Sequence, residues 1–380
     1  MKTKDKAILI VDSRGILSLN NQYDLDRHVE YARRVNDSNK NVQVIVATTN
    51  PSFPTVSTFE DLVVYSISGN RRFSPNYLFG VIRLVNRLGL GKVLLIAGDP
   101  WESAISLLVI RRFCPTSTFC QVQIHADVTA STWVEISKMN RIRKAALPFT
   151  LHRFESIRVT SREIKQSLEH EYLIPEDRFV VSNVRINVNA NEVPNLPIHR
   201  PRSISLVGRL EKDRGLDVFL ELIRKISDLK IMINIAGKGP DGADSVEKLM
   251  GIVGRERVKV WGELHPREMP ELWKQTGILV STAPSESFGR TIREAASFGV
   301  PVLGVASRGF NEFVNFASVP WVRPLNLDCS VAEIQEIVDE LLSVKTSLNV
   351  RKKILNEQED QISKLINCWT SLLENDEQFK

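Results

Sequence analysis

Residues 278–302, ILVSTAPSESFGRTIREAASFGVPV, decide how the rest of the chain is read. Ile278–Val280 is a short apolar run bounded by small and turn-forming residues. It predicts a buried parallel strand, with Ser281–Ser287 as the loop at its carboxyl end. A helix follows: Ser287 and Gly289 mark its start, Thr291, Ile292, Glu294, Ala295 and Ala296 form its body, and Gly299 with Pro301 just beyond marks its stop. Such a strand–loop–helix leaves free backbone N–H groups at the helix start, aimed into the crevice where open α/β sheets bind ligands, and it suits a phosphate. Two carboxylates frame that start. Glu286 lies in the loop, and Glu294 follows eight residues later; taken alone, Glu294 would be a helix-stabilising acid contributing ~0.5 kcal/mol.

Outward from this stretch, strands and helices alternate. Ala7–Val11, Val42–Ala47, Leu62–Ser66, Lys92–Ala97, Cys120–Ile124 and Ser156–Val159 read as strands; Asp24–Val35, Tyr77–Leu88, Glu102–Arg112, Trp133–Phe149 and Glu163–Glu169 read as helices, with Asp24 as an N-cap. This alternation predicts a parallel sheet with helices on both faces. The first domain is expected at 1–184. Residues 185–202, rich in Asn and Pro, read as a linker. A second series of the same kind fills 203–330, and 331–380 is a charged helical tail with Ile334, Ile337, Val338, Leu341 and Leu342 on one face.

A chain of 380 residues with 43% hydrophobic residues has room for two cored domains. No stretch of about 18 uncharged apolar residues occurs, and the N-terminal apolar run reads as a first strand rather than a signal-peptide core, so a cytosolic protein is expected. Cys114, Cys120, Cys329 and Cys368 show neither zinc-ligand nor disulfide-framework spacing and read as buried thiols. The net charge of +5 permits anionic partners. Nucleic acid is disfavoured because no aromatic-interleaved basic patch stands out. Asp24-Leu25-Asp26 reads as first-turn acids complementing a helix dipole, and no metal is expected.

The string Glu286-Ser287-Phe288-Gly289 … Glu294-Ala295 … Gly299-Val300-Pro301-Val302 resembles the E-x7-E signature of retaining glycosyltransferases with the two-domain GT-B fold, family 4 in particular. The resemblance implies two Rossmann-like domains facing a cleft, with the C-terminal tail crossing back onto the first. It also implies that Glu286 sits against a donor sugar, the amides of Ser287, Phe288 and Gly289 meet its diphosphate, and Glu294 binds the ribose. Val207-Gly208-Arg209-Leu210 followed by Arg214-Gly215 is similar to the family's V-G-R-L … K-G pattern, which places Arg209 and Arg214 on the diphosphate. Lys212 is a weaker candidate for Arg214's role, and the rival reading is an exposed basic loop. Ala236-Gly237-Lys238-Gly239-Pro240 resembles the A-G-x-G-P turn, where glycines admit close backbone approach. Trp261 and Gly262 take the position of base contacts, Trp261 being equally readable as core. His125, at a predicted strand end, resembles the family's histidine beside the donor sugar, with Asp127 either orienting it or capping the next helix. Arg308-Gly309-Phe310-Asn311-Glu312 resembles the G-G-x-x-E loop with Arg308 in place of the first glycine.

Two departures stand out. The family's glycine pair after the first strand is here Asp12-Ser13-Arg14-Gly15, which makes Arg14 an acceptor or phosphate ligand by position, and the P-N-G stretch reads Ser182-Asn183-Val184. The function implied is hexosyl transfer from a nucleotide-diphosphate sugar to a glycan or lipid-linked acceptor in surface polysaccharide biosynthesis, with no metal and no cofactor beyond the donor. A GT-B binding subunit that has lost transfer is the alternative. The basic helix Lys138–Lys144 is either a solvated face or a peripheral contact with an anionic membrane at its inner face.

Overall fold

The structure, a computed structural model, describes residues 4–20, 22–69, 74–114, 116–186, 188, 200–226 and 230–374. It divides into two compact units, 1–183 with 360–380 and 184–359.

In the first unit the order is β1 (Lys6–Asp12), α1 (Gln22–Ser38), β2 (Val42–Thr48), β3 (Val56–Phe59), β4 (Leu62–Ser66), α2 (Pro75–Leu88), β5 (Lys92–Ala97), α3 (Glu102–Phe113), β6 (Ser117–Ile124), α4 (Ser131–Glu135), α5 (Lys138–Leu151), β7 (Ser156–Val159), α6 (Arg162–Tyr172) and β8 (Phe179–Val181). The sheet runs β3-β4-β2-β1-β5-β6-β7-β8, parallel throughout except for the β3/β4 pair. Side chains alternate across it. Ala7, Leu9 and Val11 of β1 pack on one face with Leu107, Leu147 and Leu168, whereas Ile8 packs on the other with Val35 of α1 and with Ile362, Leu365, Ile366 and Trp369.

The second unit runs β9 (Ser203–Val207), α7 (Leu216–Lys225), β10 (Met232–Ala236), α8 (Gly242–Val253), β11 (Val258–Gly262), α9 (Met269–Lys274), β12 (Ile278–Ser281), α10 (Arg290–Ser297), β13 (Val302–Val305), α11 (Arg308–Ala317), β14 (Val322–Leu325), α12 (Val331–Ser343) and α13 (Asn349–Glu374), the last of which continues into the first unit's share of the chain. Its strands are all parallel in the order β11-β10-β9-β12-β13-β14, a doubly wound arrangement whose order reverses between β9 and β12. Ile334, Val338, Leu341, Val350 and Ile354 join this unit's core. Ser330 starts α12 with a capping box to Glu333. Of the expected linker, 187 and 189–199 lie outside the described residues, and Ile186 and Val188 are buried in the second core.

Several local expectations need correction. Asp24 is not an N-cap: α1 begins at Gln22, and Asp24 in its first turn pairs with Arg27 at 3.1 Å. The helix expected over Trp133–Phe149 is two helices, because the Ser137 hydroxyl accepts from the Asn140 N–H and starts α5 afresh. Arg308–Glu312 is no loop but the first turn of α11, capped by Ser307. β3, β8 and β14 have no counterpart among the expected strands.

Candidate functional site

The site grows from the carboxyl ends of β9 and β12, the two strands between which the order reverses. After β9 the backbone is held down by its neighbour: Gly208 N–H donates to Ala236 O at 2.9 Å, Leu210 N–H to Lys238 O at 3.0 Å, and Gly237 N–H to Gly262 O at 2.7 Å. This close stacking requires glycine at 237. Its φ is +134°, and a Cβ there would stand 1.8 Å from Gly208 O. Gly239 is similarly pressed, with Leu210 O at 2.2 Å from a Cβ position. The following turn ends at Gly215, whose φ of +73° and contact with Thr282 O tie the β9 loop to the end of β12. Thr282 Oγ1 donates to Arg214 O at 3.0 Å and completes the tie.

The β12–α10 loop is braced as firmly. Gly309 N–H donates to Glu286 O at 2.9 Å, and the chain at 286–288 lies directly on the Gly309 Cα. Glu286 folds back so that its Oε1 accepts from Gly289 N–H at 3.1 Å, while its Oε2 stands 3.7 Å from Arg214. One amide expected to meet a diphosphate is therefore occupied by Glu286 itself. Gly289 takes φ +73° and opens α10, whose first turn carries no acid to offset the positive end of its dipole.

Two adjacent recesses result, of about 380 and 470 Å³, within the ~300–1,000 Å³ span of small-molecule sites. The first is lined by Arg209, Arg214, Glu286, Gly289 and Arg290, and the second by Arg209, Gly237, Gly239, Arg290 and Glu294. They share Val207, Gly208, Arg209, Arg290 and Thr291. Each arginine rests on an acid: Arg209 on Glu211 at 2.8 Å, Arg214 on Glu286, and Arg290 on the buried Glu294 at 3.3 Å. Lys238 pairs with Glu263 on the rim of the second recess.

Other expected residues sit further off. Ser287 and Phe288 form the loop wall rather than the recess lining, and Phe288 is buried. Gly262 contributes the carbonyl that holds Gly237. Trp261 donates from Nε1 to Asn234 Oδ1 at 3.0 Å and carries Lys259 over its ring at 3.8 Å. Lys212 offers its backbone N–H to Asp241. His125 belongs to the first unit, just past β6. Desolvation first, then the cations Arg158 and Arg27, lower its pKa to about 3. Asp127 is buried and accepts from Thr129 Oγ1 at 3.0 Å; the N-cap of α4 is Ala130. Arg14 pairs with Asp99 at 3.4 Å and Glu102 at 3.2 Å.

Residues 189–355 match the family described as "Glycosyl transferases group 1". The second unit is a group 1 glycosyltransferase domain. Over 115 residues the chain is 32% identical to an uncharacterized 41.2 kDa protein in the cps region of Klebsiella pneumoniae, covering 30% of this chain and 29% of that one. Over 207 residues it is 24% identical to the phosphatidylinositol N-acetylglucosaminyltransferase gpi3 subunit of Schizosaccharomyces pombe, covering 54% and 43%. The chain thus spans less than half the length of either curated relative. Sucrose-phosphate synthase from Thermosynechococcus elongatus superposes with a TM-score of 0.68 over 97% of this chain and 99% of its own, at 16% identity. That likeness covers both units, which are the paired Rossmann-like domains of the GT-B fold.

Within the glycosyltransferase domain, the sequence reading passed over Arg290 and Arg293, and took Gly215 only as part of the K-G pattern. Arg293 is fully buried, donates from Nε to Phe288 O at 3.2 Å, and lies over the rings of Phe288, Phe313 and Phe316 at 4.2, 4.9 and 5.3 Å. Gly309 was in view only as half of a glycine pair; its contact with residues 286–288 is a long-range packing fact. Among the described residues no group of three or more His, Cys, Asp or Glu is placed to hold a metal ion.

Proposed function

We propose that the chain is a glycosyltransferase that moves a sugar from a nucleoside-diphosphate sugar to a glycan or lipid-linked acceptor, with retention of configuration, in surface polysaccharide assembly. The observation that carries this reading is the meeting of Arg209, Arg214, Glu286 and Glu294 around two joined recesses at the point where the strand order of the second sheet reverses. As the glycosidic bond breaks, negative charge gathers on the diphosphate and positive charge on the sugar ring. Arg209, Arg214 and the positive end of α10 meet the first, Glu286 holds the sugar hydroxyls, and Glu294 the ribose. The departing phosphate takes the acceptor's proton, so no protein base is required, and the arginines take the charge-balancing part that a metal would otherwise fill. The relatives' printed names, an N-acetylglucosaminyltransferase subunit and a sucrose-phosphate synthase, support sugar transfer.

The test is titration calorimetry of the purified chain against UDP-, GDP-, ADP- and dTDP-sugars, with Glu294→Ala and Arg209→Ala alongside. One sugar nucleotide should bind, weaken in Glu294→Ala, and turn over about 10²–10³-fold more slowly in Arg209→Ala. Unchanged turnover in Arg209→Ala would remove that residue from the mechanism. Donor binding without transfer to any acceptor would favour the binding-subunit alternative.

We also infer a peripheral seat on an anionic membrane, through α5. Residues 138–153 hold Lys138, Arg141, Arg143, Lys144 and Arg153 and no Asp or Glu. Met139, Ile142 and Phe149 are more than half exposed along the same helix, and Ile136 just before it is exposed as well. A face meant for water alone has no use for these apolar side chains, whereas an apolar stripe edged with cations suits the headgroup boundary. Co-sedimentation should show binding to phosphatidylglycerol-containing vesicles and loss of it in Met139→Asp/Ile142→Asp. Equal binding of that variant would sink the assignment.

A further inference from the structure

Arg290 is a recess cation, lining both recesses, to which the reading above gives no task. It is the first residue of α10, where a basic side chain works against the helix dipole, and the first turn holds no acid. The helix dipole gives no reason for a guanidinium there. The side chain lines both recesses and is 45% exposed, whereas its partner Glu294 is 5% exposed. The arginine half of this i,i+4 pair reaches solvent and can turn, while Glu294 stays buried. A phosphate offers a planar guanidinium a bidentate, charge-assisted partner at the same spot, and the dipole of α10 then favours the anion.

We propose that Arg290 is a third diphosphate ligand of the donor site and sets its preference for nucleoside diphosphates over monophosphates. Arg290 rests on Glu294, with Nε 3.3 Å from Oε1. When donor enters, Arg290 turns from Glu294 to the diphosphate that bridges the two recesses, and Glu294 is released to the ribose hydroxyls. One residue thus couples the charge of the ligand to exposure of the group that recognises its sugar. The inference rests on the donor-site reading above and adds a contact to it.

The test uses the full chain and two series of probes, UDP, GDP and ADP against UMP, GMP and AMP, by titration calorimetry; the base that binds wild type is carried forward. Arg290→Leu should raise the Kd of the diphosphate about tenfold or more and that of the monophosphate about threefold or less, with Arg290→Lys between. Arg290→Lys keeps a cation beside the buried Glu294 and should melt near wild type, whereas Arg290→Leu removes the cation beside that carboxylate and should melt lower, so the Lys variant and the diphosphate-to-monophosphate ratio separate recognition from stability. Equal weakening of both nucleotides, or of neither, would overturn the proposal. Arg209→Ala and Glu294→Gln separate the two levels of argument: if they lose diphosphate affinity while Arg290→Leu keeps it, Arg290 alone is misassigned. If they too bind like wild type, or if wild type binds no nucleotide, the donor-site reading itself falls, and the role of Arg290 with it.

Discussion

The buried pair behind the donor loop makes an uneven prediction. Arg293 has a side chain 1% exposed and Glu357, on α13, one 18% exposed, with Nη1 and Oε2 3.3 Å apart. Burial lowers the arginine's pKa, opposed by the charges of Glu357 and Glu312, so the cation depends on acids for its place. Glu357→Leu strands a desolvated guanidinium that keeps only the Phe288 carbonyl, three ring faces and the more distant charge of Glu312. Breaking a buried pair from that side costs about 3 kcal/mol or more. Arg293→Met leaves a carboxylate that water already reaches, fills most of the vacated volume, and abandons one buried carbonyl, at about 1–2 kcal/mol. The double variant also leaves the Phe288 carbonyl but strands no charge, so it should lie above both single variants, within about 1–2 kcal/mol of wild type.

The order of stability is therefore double variant, then Arg293→Met, then Glu357→Leu. Scanning calorimetry reads it directly. For a unit of this size each kcal/mol moves the midpoint by ~2–4 °C, so Glu357→Leu should melt about 6–12 °C below wild type. Because Phe288 belongs to the loop that carries Glu286, both single variants should also weaken donor binding. A Glu357→Leu protein that melts above Arg293→Met would refute the reasoning, since the less exposed partner would then not be the one that needs compensation.

Two further outcomes follow from local geometry. Gly237→Ala should destabilise by about 3 kcal/mol and impair donor binding, because strain at φ +134° adds to a clash with Gly208 O. Gly251→Ala, in α8 with open space around its Cβ position, should gain up to ~1 kcal/mol; chemical denaturation of both variants checks the contrast. His28, whose Nδ1 lies 2.6 Å from Asp24 O, has its pKa lowered to about 3 by burial first and by Arg27 and Arg158, against the Asp24 carbonyl. The native state then binds fewer protons than the unfolded chain between pH 3 and ~6.5, so stability is present above ~6.5 and declines as pH falls through that window. His28→Gln should flatten the decline of the melting midpoint between pH 6.5 and 4, and an unchanged slope would count against the assignment.

The alternating plan was legible because strands covered on both faces read as apolar runs: AILIV in β1 and ILV in β12 contain nothing else to be. The missed strands are ones that such runs cannot announce. β3 alternates exposed and half-buried residues and β14 contains Pro324, so their strand character exists only in pairing, Phe59 opposite Leu62 and Val302 opposite Val322. Arg308–Glu312 hid its helix because Gly309 lowers local propensity, and the Ser307 cap with the docking of residues 286–288 overrides it. Arg209, Arg214, Glu286 and Glu294 were named through a resemblance that covers the second unit. Arg290 and Arg293 were not, because R-T-I-R at a helix start looks like two solvated cations. What separates them is a turn of the helix: at three residues' spacing one side chain stands over the recesses and the other enters a cage of Phe288, Phe313 and Phe316, two of which lie some twenty residues downstream.

That separation bears on how the site is held ready. Arg209, Arg214 and Arg290 line the recesses without driving them apart, since each rests on an acid, Glu211 and Glu294 from its own segment and Glu286 from the facing loop. Incoming phosphate oxygens exchange with carboxylates already in place, and the cations need little further ordering, which is the condition under which preorganised charge is worth most. Glu286 makes the exchange directional. Its carboxylate both holds Gly289 N–H and faces Arg214, so drawing Arg214 to a diphosphate leaves Glu286 with one tie instead of two and frees an oxygen for a sugar hydroxyl. On this argument charge recognition precedes sugar recognition: a nucleoside diphosphate should bind well without its sugar, and the free sugar should bind only when the diphosphate is present.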